Sequence, residues 1–482
     1  MDNFDRRGFL RRTLASPLLS SAGAMGRSGA SSRKPTDIRI ESISRRYDEL
    51  ALRTPLKFGG RVSTHMTLLT VDCSVRTVDG RTAQGSGAMP MGNSWSFPSA
   101  IVSSDDTLAA MKALADRLVK ITGDYHETGH PIDLNLALEP AYLDAAGDVS
   151  KELKLAEPIP KLCALVVASP FDAAVHDAFG KVHGLNCYHT YGAKFMSHDL
   201  GHYNGSEFKG EQLDHYLHQE PVARMPLYHL VGALDPITAA DLKKPIGDGL
   251  PETLEEWIRF NGLTHLKVKL NGDDLNWDVE RVVTIGRTIQ DVNSKRGVDQ
   301  WVLSLDFNEK CKHVSYLMDF LDRVKEQSAL AFDRIQYIEQ PTARDLEKDR
   351  QNVMFEAAKV KPVVIDESLT GLDRLRMARD MGYTGVALKT CKGQSQSLLI
   401  AAAAEKYKMF ICVQDLTCPG ASLIQSAGLA AHVIGVPAIE ANARQFIPAA
   451  NKAWEEKFPG VFHITDGTMN TGTLNGVGLG AG

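Results

Sequence analysis

The sequence predicts an α/β barrel that follows a smaller region of mixed α and β structure. Beyond about residue 220, eight short apolar strands alternate with amphipathic helical segments. This alternation is typical of parallel strands joined by right-handed crossovers. Polar residues lie at or near the C-terminal ends of many of these strands, and in a barrel those ends converge at one mouth. An open doubly wound sheet is the alternative, but no GxGxxG or GxxxxGK(S/T) motif opens a helix.

The first 35 residues have the pattern of an export signal. The segment DRRGFLRRTLASPLLSS places Arg6 and Arg7 before Phe9 and Leu10, and a weakly apolar stretch of small residues follows. This pattern resembles a bacterial twin-arginine signal peptide and predicts a mature protein that is periplasmic or otherwise exported. The alternative is a basic N-terminal arm on a cytoplasmic protein.

The composition gives no reason to expect nucleic acid or a membrane as a partner. Of the 482 residues, 43% are hydrophobic and 23% are charged, and the formal net charge is -5. No uninterrupted apolar run approaches the roughly 20 residues that cross a bilayer. The seven cysteines are scattered without a CxxC pair, so neither a zinc ribbon nor a disulfide framework is indicated.

Residues 38–165 are predicted to form the mixed region. The stretch HMTLLTVDCSVRTVDGRTAQGSG alternates in two runs around Asp79-Gly80, which indicates a β-hairpin. A helix is expected after Asp105 or Asp106, because either side chain can cap it. A second helix is expected from near Ser169 to Gly184.

The predicted barrel strands are short and end in polar residues. In chain order they are MPLYHLVG, HLKVKL, WVLSLDFN, IQYIEQP, PVVIDES, GVALKT, MFICVQD and AIEANAR. Three consecutive strands, the third to the fifth, each bring a carboxylate to the mouth: Asp306, Glu339 and then Asp366 or its neighbour Glu367. Close acids without a counterion repel and raise each other's pKa. A salt bridge or helix cap explains any one acid, but three in succession favour a hard cation such as Mg²⁺.

Lysines flank these acids in strand order. Lys267 and Lys269 alternate with aliphatic residues in THLKVKLNG, so both leave the same face of the second strand, and Lys389 ends the sixth. A partly desolvated lysine near other cations has a depressed pKa and acts as a base near neutral pH. We therefore expect opposed bases on two sides of a substrate carbon next to a carboxylate, where they remove and return a proton.

The motifs LKVK, LDFNE, YIEQP, IDES, ALKTCKG and IEANARQF, with SPFDAAVHDAFGKVHG before them, resemble the enolase superfamily. The likeness is to its muconate lactonizing enzyme and mandelate racemase branches and spans about residues 38–448. It implies an α+β capping domain at 38–165 and a modified (β/α)₇β TIM-type barrel at 166–448. The segment 449–482 is expected to return to the capping domain. The resemblance also implies Mg²⁺, with Mn²⁺ as a substitute, and an enolate intermediate.

The resemblance assigns roles to individual residues. The implied metal ligands are Asp306, Glu339 and Asp366. The implied acid/base pair is Lys269 and Lys389, with Lys267 as electrostatic support. The predicted substrate contacts are Asn308, Asp415 and Glu440. For Asp415 a structural ion pair explains the charge equally well, and the sixth strand continues as CKGQS where this branch commonly shows Lys-x-Gly-Gly.

The two-lysine pattern favours one group of reactions. A lysine on the sixth strand is similar to the muconate lactonizing pattern, whereas the mandelate racemase pattern uses a His on the seventh. We expect an epimerase, racemase or cycloisomerase that acts on a small-molecule carboxylate. An acid-sugar dehydratase of the same superfamily is the alternative, and a non-catalytic periplasmic binding protein is a second one. Homo-oligomerisation stays open, since this fold often assembles.

Overall fold

A computed structural model describes residues 34–58 and 61–481, so all but the last two residues of the predicted export signal lie outside the described residues. The described chain begins with an antiparallel sheet of three strands in the order β1-β2-β3. These strands are β1 (Ile38–Phe58), β2 (Arg61–Thr77) and β3 (Thr82–Pro90). The predicted hairpin at Asp79-Gly80 is confirmed: Thr77 N donates to Arg81 O at 2.9 Å, and Gly80 adopts φ 91°.

Four helices follow this sheet. They are α1 (Asn93–Ser96), α2 (Ser104–Gly123), α3 (Pro131–Glu152) and α4 (Lys161–His183), and α2 and α4 pack against the sheet. The expected cap of α2 is wrong by a few residues. Ser103 caps it by accepting the N–H of Asp106 at 3.1 Å, and the two acids Asp105 and Asp106 lie in the first turn, where they favour the helix dipole.

Helix α4 is longer than the sequence indicated. Ser169 before Pro170 looks like a helix start, but the Ser169 hydroxyl donates to Val166 O at 2.8 Å and so bonds back within the helix. Among the described helices, α4 alone is long and apolar enough to cross a membrane, yet its whole apolar window is buried inside the protein. It is the central helix of the N-terminal region.

A linker of short elements connects α4 to the barrel. It contains the helix α5 (Leu200–Asn204) and 3₁₀ turns at Cys187–Thr190, Ser206–Phe208 and Leu213–Tyr216. Asp199 caps α5, because its side chain accepts the N–H of His202 at 3.3 Å.

Within the described residues, eight parallel strands close into a barrel, as predicted. They are β4 (Arg224–Val231), β5 (His265–Lys269), β6 (Val302–Asp306), β7 (Ile335–Glu339), β8 (Val363–Ile365), β9 (Gly385–Leu388), β10 (Phe410–Val413) and β11 (Ile439–Glu440). The register Ile439↔Leu227 and Glu440↔Tyr228 joins the last strand to the first and closes the sheet. The open-sheet alternative is therefore excluded.

The barrel helices follow the strands in alternation. They are α6 (Leu254–Asn261), α7 (Leu275–Ser294), α8 (Val314–Gln327), α9 (Ala329–Asp333), α10 (Phe355–Val360), α11 (Leu372–Asp380), α12 (Gln394–Lys406) and α13 (Ala421–His432). A buried cluster fills the barrel below the mouth, and its members are Tyr228, Tyr337, Val364, Ala387, Cys412 and Ala438. This packed interior leaves the strand ends as the place for a site.

The C-terminal residues contact both parts of the chain. They contain α14 (Ala443–Phe446), α15 (Lys452–Glu455), α16 (Pro459–Phe462) and β12 (Thr468–Asn470), which pairs antiparallel with β4. Gly478 N donates to Leu185 O at 2.9 Å, just after α4. The division into 38–165, 166–448 and 449–482 stays a prediction, and its first boundary falls inside α4.

Candidate active site

The barrel register places the predicted acids and lysines at one level of the mouth. Lys269 pairs with Asp306 across β5 and β6, and Asp306 pairs with Glu339 across β6 and β7. Asp366 directly follows the end of β8, and Lys389 follows the end of β9. Because adjacent strands are in register here, one end of the sheet gathers residues that are up to 120 positions apart in sequence (from 269 to 389).

Lys267 lies within a cage of carboxylates. Its Nζ lies 2.8 Å from Glu339 Oε1, 2.8 Å from Glu440 Oε2 and 3.2 Å from Asp306 Oδ2, and its side chain is buried. Burial alone would lower the pKa of Lys267, but these three carboxylates outweigh it and raise the pKa well above its usual value. Lys267 is therefore a fixed positive charge, as its predicted supporting role requires.

The two predicted acid/base lysines contact different acids. Lys269 Nζ donates to Asp306 Oδ2, and Lys389 Nζ donates to Asp366 Oδ2 at 2.7 Å. Lys392, which the sequence analysis did not assign, places its Nζ 3.0 Å from Asp366 Oδ1. The lysines thus contact the first and third acids, on either side of the middle acid, Glu339.

The expected depressed pKa of Lys389 is wrong for the structure as described. Burial would lower the pKa of Lys389, but its contact with Asp366 outweighs burial and raises the pKa above the usual lysine value. The expectation rested on neighbouring cations, whereas the nearest group in the fold is an anion. A lysine in this ion pair holds its proton.

Three buried carboxylates crowd the centre of the mouth. The pKa of Glu339 is raised well above its usual value, first by burial and then by the negative charges of Asp306 and Asp366. Burial would also raise the pKa of Asp306 and Asp366, but the lysines that contact them lower it instead. Carboxylate oxygens are the ligands that a hard divalent cation prefers, and Asp306, Glu339 and Asp366 supply three of them at one end of the barrel. The three acids therefore fit Mg²⁺.

Asp366 and Glu367, which directly follow β8, contact different partners. Glu367 Oε1 accepts the indole N–H of Trp95 at 2.9 Å and the amide of Asn308 at 3.5 Å. Burial, followed by the charge of Asp366, raises the pKa of Glu367 to about 7. The ring of Trp95 also lies 4.5 Å from Lys389 Nζ. Trp95 thus reaches the site from the N-terminal region.

Two of the three residues predicted to contact substrate, Asp415 and Glu440, form hydrogen bonds within the protein. The carboxylate of Asp415 accepts backbone N–H groups of Thr417 at 3.1 Å, Cys418 at 3.0 Å and Asn442 at 3.1 Å. These bonds close the loops after β10 and β11. Glu440 accepts Lys267 through Oε2 and the Asn442 amide through Oε1 at 2.6 Å. A direct substrate contact by either residue stays a prediction, as does that of Asn308.

Three residues at the site were given no role in the sequence analysis. Lys392 lies in the 3₁₀ turn Thr390–Lys392, and its signal was the second lysine of KTCKGQ, three positions after Lys389. Gln414, which follows β10, donates to Glu339 Oε2. Trp95 carries little signal in the sequence, because an aromatic residue in an apolar stretch is more often part of the core.

The barrel matches a known protein family. Residues 249–481, which carry the second to eighth strands with their acids and lysines, match the model described as Enolase C-terminal domain-like. The barrel of this chain belongs to the enolase superfamily. The resemblance to the enolase superfamily drawn from the sequence motifs is thereby confirmed.

Solved enolase-superfamily structures share the whole described fold. The L-Ala-D/L-Glu epimerase from Bacillus subtilis is 17% identical with a TM-score of 0.59, over 92% of this chain and 98% of the epimerase. Muconate lactonizing enzyme from Pseudomonas fluorescens is 15% identical with a TM-score of 0.56, over 92% and 95%. The dipeptide epimerase from Enterococcus faecalis, complexed with Mg and L-Leu-L-Tyr, is 15% identical with a TM-score of 0.58, over 92% and 99%. No curated protein matches this chain.

Proposed function

We propose that this protein is a Mg²⁺-dependent enzyme that removes the proton α to a substrate carboxylate and returns it, as an epimerase, racemase or cycloisomerase. The observation that carries the proposal is the placement of Lys269 and Lys389, from the second and sixth strands, against two different acids of one buried cluster. Two amines that approach one centre from separate strands can serve two faces of a substrate carbon.

Each charged residue then has a defined task. Asp306, Glu339 and Asp366 would hold Mg²⁺, which supplies positive charge for the substrate carboxylate and for the negative charge that develops as the proton leaves. The Nζ atoms of Lys269 and Lys389 would exchange the proton with the substrate, and Lys389 would enter this exchange as the proton donor, because its ion pair with Asp366 holds its proton. Lys267 stays protonated among Asp306, Glu339 and Glu440 and adds fixed positive charge below the site.

A cavity beside the site offers room for the remainder of a substrate. Its volume is about 260 Å³, and it is lined by residues that include His65 of β2, Met91, Trp95 and Leu416 of the loop after β10. Trp95 joins this cavity to Glu367 and Lys389. Substrate selection is therefore assigned to the N-terminal region together with this loop. Two structural neighbours are complexed with small molecules, muconolactone in one and the dipeptide L-Leu-L-Tyr in the other.

Deuterium exchange tests the proposal. The purified protein is incubated with Mg²⁺ in D₂O with dipeptides, muconolactone and a wider set of chiral carboxylic acids, and α-deuterium is followed by NMR. Lys269→Ala and Lys389→Ala are each expected to lower exchange by about 10²- to 10⁴-fold, the usual contribution of a general acid or base. Lys348→Ala, which alters a side chain that is 87% exposed, is the matched control.

The same experiment separates the alternatives. Exchange that survives in the Lys269→Ala/Lys389→Ala double variant would contradict the assignment of the two lysines. Loss of water from an acid sugar would identify a dehydratase. A folded protein that neither binds Mg²⁺ nor exchanges any acid would favour the non-catalytic binding protein.

We also propose that the chain is exported by the twin-arginine route. The support is the segment with Arg6, Arg7, Phe9 and Leu10 followed by small residues. Mass spectrometry of the protein from its native host is expected to find an N-terminus near residue 31, beyond the signal. An intact Met1 would contradict export and favour a cytoplasmic protein.

A further inference from the structure

Two histidines and an aspartate meet between α3 and α5, away from the barrel strand ends. Asp133 lies in the first turn of α3, His198 lies just before α5, and His202 lies within α5. One potential ligand atom of each residue lies within 4.8 Å of those of the other two. Asp133 and His198 are half-buried and His202 is exposed. None of these residues takes part in the proposed reaction.

The backbone holds the two histidines on one side of a short, braced turn. Asp199, between them, accepts the N–H of His202 at 3.3 Å and that of Gly210 at 2.7 Å. Leu200 N donates to Glu211 O at 2.8 Å, which ties the start of α5 to the next segment. The rings of His198 and His202 stack with centroids 3.9 Å apart and planes at 16°. The two imidazoles are therefore already side by side.

The aspartate is oriented by a neighbour. The hydroxyl of Tyr203 donates to Asp133 Oδ1 at 2.7 Å, and the Tyr203 ring packs edge-on against His202 with centroids 5.0 Å apart. A hydrogen bond from an outer residue to a ligating carboxylate is the arrangement that orients ligands at metal sites. Asp133 is thus held toward the histidines, while its second oxygen stays available to them.

We propose that Asp133, His198 and His202 bind a Zn²⁺ ion. Two imidazole nitrogens with one carboxylate oxygen form a donor set that suits Zn²⁺, whereas Mg²⁺ prefers oxygen ligands alone. The exposure of His202 gives the ion an entry path and leaves room for water as a further ligand. The ion would fasten α3 to the linker that leads from α4 into the barrel, so its role is structural.

Calorimetric titration tests the site. Tag-free protein is stripped with chelator, saturated with Mg²⁺ to occupy the barrel carboxylates, and titrated with Zn²⁺ alone. Wild type is expected to bind about one Zn²⁺ per chain. His198→Gln and His202→Gln are each expected to weaken binding by at least about 100-fold, and Tyr203→Phe by about 10- to 100-fold, the usual effect of removing an outer hydrogen bond. His126→Gln, at an exposed histidine outside the cluster, is the matched control.

Two further measurements distinguish Zn²⁺ binding at this cluster from Zn²⁺ binding at the barrel carboxylates. The same titration of Glu339→Gln, which weakens the barrel site, is expected to retain the Zn²⁺ event. Thermal unfolding is expected to shift upward with Zn²⁺ in wild type and in His126→Gln, but not in His198→Gln or His202→Gln. Absence of a Zn²⁺ event in Mg²⁺-saturated wild type, or its retention in both histidine variants, would overturn the proposal.

Discussion

At the residue scale, Asp366 and Glu367 show how neighbours in sequence acquire different chemistry. Both are buried acids at the end of β8, yet Asp366 contacts Lys389 and Lys392 while Glu367 accepts the indole N–H of Trp95. Of these two acids, Asp366 is the one whose charge is among the main causes that raise the pKa of Glu339. We therefore assign the third metal ligand to Asp366.

This assignment predicts different metal affinities for two single variants. Asp366→Asn is expected to weaken Mg²⁺ binding by at least about tenfold, or ~1.4 kcal/mol, because it removes a ligand charge. Glu367→Gln is expected to leave the Mg²⁺ affinity within a few-fold of wild type. Calorimetric Mg²⁺ titration of both variants checks this. A larger loss in Glu367→Gln than in Asp366→Asn would reverse the assignment.

At the scale of elements, the contact between β3 and α4 depends on glycine. A Cβ at Gly87 would lie under 3.0 Å from Pro170 O, and one at Gly85 under 3.0 Å from Ala174 O. The strand backbone therefore rests directly on the helix carbonyls. This close approach explains why α4 can be buried almost along its whole length.

Gly87→Ala is expected to destabilise the protein by about 1–3 kcal/mol, because the added methyl group forces β3 away from α4. Denaturant unfolding followed by circular dichroism measures the change. Gly147→Ala is the matched control: no atom lies within 4 Å of the place its methyl group would take, and alanine favours a helix interior by up to ~1 kcal/mol. Equal stability of Gly87→Ala and wild type would contradict the proposed close packing.

At the scale of the whole molecule, α4 is tied to the barrel beside the active site. Asp172 of α4 accepts the N–H of Ser395 at 2.8 Å and its hydroxyl at 2.7 Å, at the start of α12. His176 Nε2 lies 2.9 Å from the same hydroxyl, and Tyr191 contacts His176 Nδ1 at 3.0 Å. Ser395 follows Lys389 by only six positions (395 − 389). The N-terminal region thus supports the turn that carries two site lysines.

Removing this support is expected to cost stability. Asp172→Ala leaves the buried N–H of Ser395 without its acceptor, at about 1–3 kcal/mol, and leaves the Ser395 hydroxyl with His176 alone. Ser395→Ala removes only the hydroxyl and is expected to cost less. Asp148→Ala, at a side chain that is 60% exposed, is the control. Unfolding midpoints in urea check the order, and an Asp172→Ala protein as stable as the control would refute the role of the network.

The local sequence determined the barrel and the identity of its principal charged residues. Alternation of period two identifies strands such as THLKVKLNG without knowledge of their neighbours. Polar residues at the ends of successive strands indicate one mouth, and the closed sheet with Lys269, Asp306 and Glu339 in register agrees. These features follow from residues close together in the chain, which is why they could be predicted.

Only the tertiary structure decided which charges pair. Lys267 contacts Glu440 across 173 positions, and Trp95 contacts Glu367 across 272. No local sequence pattern encodes these long-range contacts, because they depend on the closure of the barrel and on how the N-terminal region packs against it. For the same reason the predicted lysine pKa had the wrong direction, and Lys392 was missed. The sequence by itself determined the strands and the kinds of charge at their ends. The tertiary structure decided which charged residues contact each other, because electrostatic energy depends on distance in space rather than along the chain.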